Sequence, residues 1–176
     1  MKTIAQIIGL LAVVAFLLSY QQKRRPQIIL LNLISRVLYI LQYLLLGAFT
    51  GAIFDILAAI ASVFAGKKHT PFIKKHIKPI VLTINACVFA AGIIIAVSNK
   101  SIIDLFALAG VLLEINALWL TKEKSIRIVS LCSAPFWFTY NILSCAYGSA
   151  VGNVLTILSI IIALIRYKDL KSTNNT

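Results

Sequence analysis

Arg36, Asp55 and Glu114 are ionisable residues set inside long apolar runs, where an unpaired charge costs at least ~2.5–3.5 kcal/mol. Around them the same runs carry amides and aromatic rings: Tyr43, Trp137, Tyr140, Asn141 and Asn153. Arginine with glutamate offers an ion pair. Amides, phenols and an indole with an acid offer hydrogen bonds and ring stacking for a polar solute. Neither set offers a nucleophile with its base. Both histidines, His69 and His76, sit in one loop, and HExxH, P-loop and GxGxxG patterns are absent, so the chain is not expected to be an enzyme. Cys87, Cys132 and Cys145 lie in apolar segments without CxxC spacing, and lysines surround the two histidines, so neither a metal nor another cofactor is expected.

The elements that must position these groups are membrane helices. Of the 176 residues, 60% are hydrophobic, and mean hydropathy is +0.95, well above a soluble domain at about 45–50% apolar. Seven runs of the length needed to cross a ~30 Å hydrocarbon core cover residues 3–20, 27–47, 49–66, 79–98, 101–120, 128–147 and 149–165. The short alternating strands of a barrel are absent. The fold class expected is all-α membrane protein.

Net charge is +12, yet it does not form a basic stripe with interleaved aromatics, so nucleic acid is not an expected partner. The basic residues instead fall at 23–25, 67–78, 122–127 and in the tail, fourteen on one side of the membrane, against Lys2 and Lys100 on the other. Positive charge marks the cytoplasmic face, which predicts the N-terminus outside and the C-terminus cytoplasmic. The lipid bilayer is then the first partner, a small polar solute the second, and a homo-oligomer is compatible.

The loops predict a repeat. Three helices with a basic first turn and a short second turn occur twice, separated by one helix. A shift of 98 residues places Tyr39 on Trp137, Gln42 on Tyr140, Tyr43 on Asn141 and Asp55 on Asn153. This gives a 3+1+3 arrangement with two parallel triple-helix repeats: 1–78 as first bundle and basic loop, 79–100 as linker helix, 101–167 as second bundle and 168–176 as a polar, disordered tail. The competing explanation is the loose alignment that any two hydrophobic triplets show.

Depth along a helix, at about 1.5 Å per residue, sorts the polar groups. Arg36 lies about 14 Å from the cytoplasmic face and Glu114 about 9 Å from the same face, close enough for a long side chain to bridge. That pair acts either as a static clamp between the halves or as a gate; snorkelling of Arg36 alone is the remaining option. Asp55 and Asn141 lie about 9 Å and Asn153 about 6 Å from the opposite face, where with Tyr43, Trp137 and Tyr140 they would line a pocket. The alternative for these residues is interhelical hydrogen bonding without a cavity. Trp119 and Tyr167, at segment ends, fit interface anchors.

The stretch Phe136-Trp137-Phe138-Thr139-Tyr140-Asn141, followed by Tyr147-Gly148-Ser149 and an isoleucine-rich helix ending in Arg166, resembles the YgjV-type family of bacterial inner-membrane proteins. So does the apolar first helix with its basic turn and Tyr43 to Gly47. More distantly, the layout is similar to the SWEET, PQ-loop and nicotinamide-riboside transporter group. That resemblance implies a carrier of small solutes, with a pocket residue on the third helix of each triplet, at Asp55 and Asn153 here. The chain departs from the group in having an acid for one amide and in having Pro135 but no proline near Val37. The resemblance therefore carries the layout rather than sugar specificity or a proline hinge. The alternative function is a non-transporting scaffold or accessory subunit.

Overall fold

A computed structural model describes residues 2–21, 25–120 and 123–173. They form eight α-helices: α1 Lys2–Gln21, α2 Arg25–Leu46, α3 Phe49–Gly66, α4 Pro71–Lys75, α5 Ile77–Asn99, α6 Ile103–Trp119, α7 Glu123–Leu143 and α8 Tyr147–Thr173. No strand occurs among the described residues. Three helical stretches are long and apolar enough to cross a membrane by themselves: Lys2–Ser19, Phe49–Gly66 and Ile77–Asn99. Leu30–Leu46 and Tyr147–Ile162 are shorter apolar stretches.

The structure differs from the sequence-based boundaries at three places. The sixth run, expected over 128–147, is α7 Glu123–Leu143, and the turn falls at 144–146, so that Gly148 lies inside α8. The basic loop holds the five-residue α4, which begins on Pro71, where proline's fixed φ suits a first helical position. The tail is not disordered from its start, because α8 continues to Thr173. Lys168, Leu170 and Lys171 are good helix formers, so a helix already nucleated in an apolar run extends through them. Lys23, Arg24 and Lys122, counted in the charge asymmetry, lie outside the described residues, as do residues 174–176.

Six helices pack in a closed ring, in the order α1, α2, α3, α6, α7, α8 and back to α1. Helix α5 stands outside the ring against α6 and touches α3. The buried faces are rich in small residues, Ala52, Ala58, Ala61 and Ala65 on α3 and Ala5 and Ala12 on α1, beside a few large ones such as Phe54 and Ile115. The outward faces carry the bulky ones, such as Ile4, Ile7, Leu11, Val14 and Leu18 on α1. Large apolar groups outside and small ones inside are what lipid favours, since tails solvate leucine as well as a core does and close backbone approach then holds helices together.

Two turns connect the second and third helices on either side of the ring, and they share a backbone. Gly47 N–H donates to Leu44 O (3.2 Å) and Ala48 N–H to Tyr43 O (2.9 Å); Cys145 N–H donates to Ile142 O (3.1 Å) and Ala146 N–H to Asn141 O (2.8 Å). Each atom of the first turn matches one 98 residues later. Both turns put a residue at positive φ, Gly47 at 74° and Cys145 at 57°. Glycine takes this conformation without strain; cysteine does so at a cost of about 1–2 kcal/mol.

Gly148 sets how closely α8 approaches α1. A Cβ there would lie 2.8 Å from the main-chain oxygen of Gln6, an atom that cannot swing aside. Gly148→Ala is therefore expected to destabilise by about 1–3 kcal/mol through overpacking. Gly47→Ala has open space and meets conformational strain alone, about 1–2 kcal/mol. Thermal melting in detergent should rank Gly148→Ala at or below Gly47→Ala. Wild-type melting of Gly148→Ala would refute the α1–α8 contact.

Candidate functional site

Arg36 projects from the middle of α2 into the ring with its side chain 4% exposed. Its guanidinium is met from three directions. Nη1 lies 3.0 Å from Asp55 Oδ1 on α3, Nη2 lies 2.7 Å from Glu114 Oε1 on α6, and Nε donates to Asn32 Oδ1 at 3.2 Å one turn back on α2. The second oxygen of Glu114 accepts from Trp137 Nε1 of α7 at 3.1 Å. A planar fork with several donors suits this better than a lysine ammonium, because two separate carboxylates approach different edges of one group. Four helices are thus joined through one cation.

The expected partner of Arg36 was Glu114, and Asp55 was assigned to a separate pocket nearer the outer face. The structure places Asp55 in the ionic cluster as well. The two groups of residues are one site.

That site opens into a cavity with about 70 Å³ of room for water centres, enough for a handful of waters at roughly 10–15 Å³ each. Asp55, Glu114, Arg36, Tyr43, Trp137, Asn141 and Asn153 all line it. Tyr140 does not. It is 2% exposed and turned behind the wall, where its Oη accepts from Gly51 N–H at 2.7 Å. Gly51 is in the first turn of α3, whose N–H groups have no partner within the helix, so the phenol satisfies one of them. Ser35, Tyr39, Ser130, Ser133 and Thr156 complete most of the polar lining. Phe16 and Thr156 carry no polar-stripe signal that sequence could have used; Ser35 sits next to Arg36 yet off the stripe of Asn32, Arg36, Tyr39 and Tyr43.

At the end of the ring nearest the turns, α2 and α7 meet. Tyr43 Oη donates to Asn141 Oδ1 at 2.6 Å, and Asn141 Nδ2 donates to Asn153 Oδ1 on α8 at 2.7 Å. Ser149 Oγ donates to Gln42 Oε1, which joins α8 to α2. Gln6 of α1 bonds to the second turn twice, accepting from Gly148 N–H at 2.8 Å and donating to Cys145 O at 2.9 Å. On α7 the lining extends from Asn141 past Trp137 to Ser130. Eleven residues of helix separate Asn141 from Ser130, about 16 Å of length.

Trp119, the last residue of α6, is partly buried and packs against the core. Tyr167 has no described side chain. Among the described residues no group of three or more His, Cys, Asp or Glu could hold a metal. What the arrangement can do chemically is bind: it has fixed charges, amides, hydroxyls and aromatic faces around a small space.

Among known proteins, one family model matches: Imp-YgjV, a bacterial inner membrane protein family, over residues 3–171. The chain therefore belongs to that family. No curated protein and no solved structure matches it.

The Tyr140–Gly51 bond gives a direct check. Tyr140→Phe leaves the Gly51 N–H buried without its acceptor, which costs about 1–3 kcal/mol. Tyr147→Phe, by contrast, changes an exposed phenol whose partner is a thiol at 3.8 Å. Melting temperature should fall for Tyr140→Phe and stay at the wild-type value for Tyr147→Phe. Equal melting of the two variants would contradict the bond.

Proposed function

We propose that this member of a bacterial inner membrane protein family is a carrier for a small polar solute, working by alternating access. In this reading seven helices span the membrane, α1–α3 and α6–α8 are two parallel repeats, and α5 links them. The N-terminus lies outside and the C-terminus in the cytoplasm, as the charge asymmetry favours. The carrier needs no covalent chemistry and acts with lipid and solute as its partners.

The observation that carries the proposal is a polar cavity lined from all six helices of the ring, by Phe16 of α1, Arg36 of α2, Asp55 of α3, Glu114 of α6, Trp137 of α7 and Asn153 of α8. A solute site shared between two three-helix halves is built in this way. The matched turns support the repeat, and so do the bonds across them. Gln42 reaches Ser149, while Tyr140 reaches Gly51; 42 and 140 are counterparts at a shift of 98, as are 51 and 149. Tyr43 bonds to its own counterpart, Asn141. Residues that touch their counterparts must lie on a two-fold axis, and two halves that rock about such an axis expose a central site to each side in turn.

The rival reading, a scaffold or accessory subunit, draws on the three-way anchoring of Arg36, which suits a static clamp. Accessibility separates the two. Place a single cysteine at Ser133, in a chain with Cys87 and Cys132 changed to alanine and Cys145 to glycine, and label with a membrane-impermeant maleimide from each face of oriented vesicles. A carrier is expected to label from both faces. Labelling from the cytoplasmic face alone would overturn alternating access.

A further inference from the structure

The carrier reading leaves open what the cavity takes, and the charge and ring content of its wall narrow this. Three of the lining residues carry acidic or basic side chains: Arg36, Asp55 and Glu114. One guanidinium faces two carboxylates, so the wall has one more acid than base. Glu114 is the most accessible of the three, with its side chain 21% exposed against 4% for Arg36 and 7% for Asp55. Glu114 is therefore the acid most open to the cavity, while the arginine is the most shielded of the three. An anionic solute would meet carboxylate first and find the guanidinium already saturated.

Four more lining residues are aromatic: Phe16, Tyr39, Tyr43 and Trp137. Trp137 gives its indole N–H to Glu114, which fixes the ring beside the carboxylate. Ring faces carry negative potential, and several rings next to an acid form a favourable setting for a positive group. Asn141, Asn153 and Ser133 add amides and a hydroxyl further along the wall.

We infer that the cavity binds a small organic monocation that also bears a hydroxyl or similar polar group, with its positive centre against Glu114 and the aromatic rings and its polar end toward Asn141 and Asn153. A hard divalent metal fits poorly, because such ions want six or more oxygen ligands and only two acidic side chains, Asp55 and Glu114, line the cavity. A diffuse organic cation asks for no such shell and gains from the rings. This inference rests on the carrier reading for the site's use, but the binding it asserts is measured without transport.

The test is isothermal titration of the purified full chain in detergent with three probes: choline, its neutral carbon isostere 3,3-dimethyl-1-butanol, and propionate. Choline is expected to bind at least about tenfold more tightly than either, a difference of about 1.4 kcal/mol. Glu114→Gln keeps the shape and the acceptor for Trp137 but removes the surplus charge. It should weaken choline about tenfold or more while leaving the isostere unchanged. If Glu114→Gln fails to fold, the comparison of choline with its isostere on the wild-type chain decides alone. Equal binding of choline and the isostere, preferential binding of propionate, or binding of none of the three overturns the inference. None of these results bears on labelling at Ser133→Cys from the two faces, so failure of the cation and failure of alternating access are told apart.

Discussion

A single guanidinium in a low-dielectric interior is the constraint on which this structure depends. Arg36 lies near the middle of an apolar helix, too deep for its charge to reach water by snorkelling at little cost. The charge persists only if other helices bring it acceptors. Asp55 from α3 and Glu114 from α6 do so at 3.0 and 2.7 Å, and Asn32 from α2 takes the remaining edge. Helices α3 and α6 belong to opposite halves of the ring and pack on each other, so the charge pairing and the closure of the ring are one arrangement. Broken, such a buried pair costs about 3–5 kcal/mol, far above any one of the interhelical amide bonds at about 0.6 kcal/mol.

Much of this was legible in the chain. Apolar runs, the basic loops and the short turns gave the helices, and the buried arginine demanded an acid. The partnership with Asp55 was harder to see because depth was counted from opposite faces. Across a ~30 Å core, about 9 Å from one face is about 21 Å from the other, so Asp55 and Arg36 differ by only about 7 Å, within reach of an arginine side chain. Tyr140 was misplaced for another reason. Helical periodicity puts it on a polar face, but it cannot say that the N-terminal turn of α3, with its unpaired N–H groups, would stand against that face. Gln42 and Ser149 went unnoticed as partners, since neither is charged or aromatic. The extension of α8 to Thr173 was hidden by polarity, which marks the end of a membrane segment and not the end of a helix.

The two ends of the ring differ in what holds them. At the turn end, Tyr43, Asn141 and Asn153 form one hydrogen-bonded chain, flanked by Gln42 with Ser149 and Tyr140 with Gly51. These bonds are between neutral groups, and each is modest by itself. On α7 the cavity lining extends from Asn141 to Ser130. In the proposed carrier the ionic contacts would serve as the hinge and the neutral bonds as the seal, because neutral bonds open and reform at small cost whereas a buried ion pair does not.

The most direct test of the central claim is a charge cycle on this cluster, read as unfolding free energy in a lipid-like detergent. Arg36→Met alone leaves two carboxylates facing each other in the interior and should lose about 3–5 kcal/mol. Adding Asp55→Asn and Glu114→Gln removes the uncompensated charges and should recover most of that loss. If the triple variant is as unstable as the sum of its three single changes, Arg36 does not hold the two halves together through these carboxylates, and the account fails.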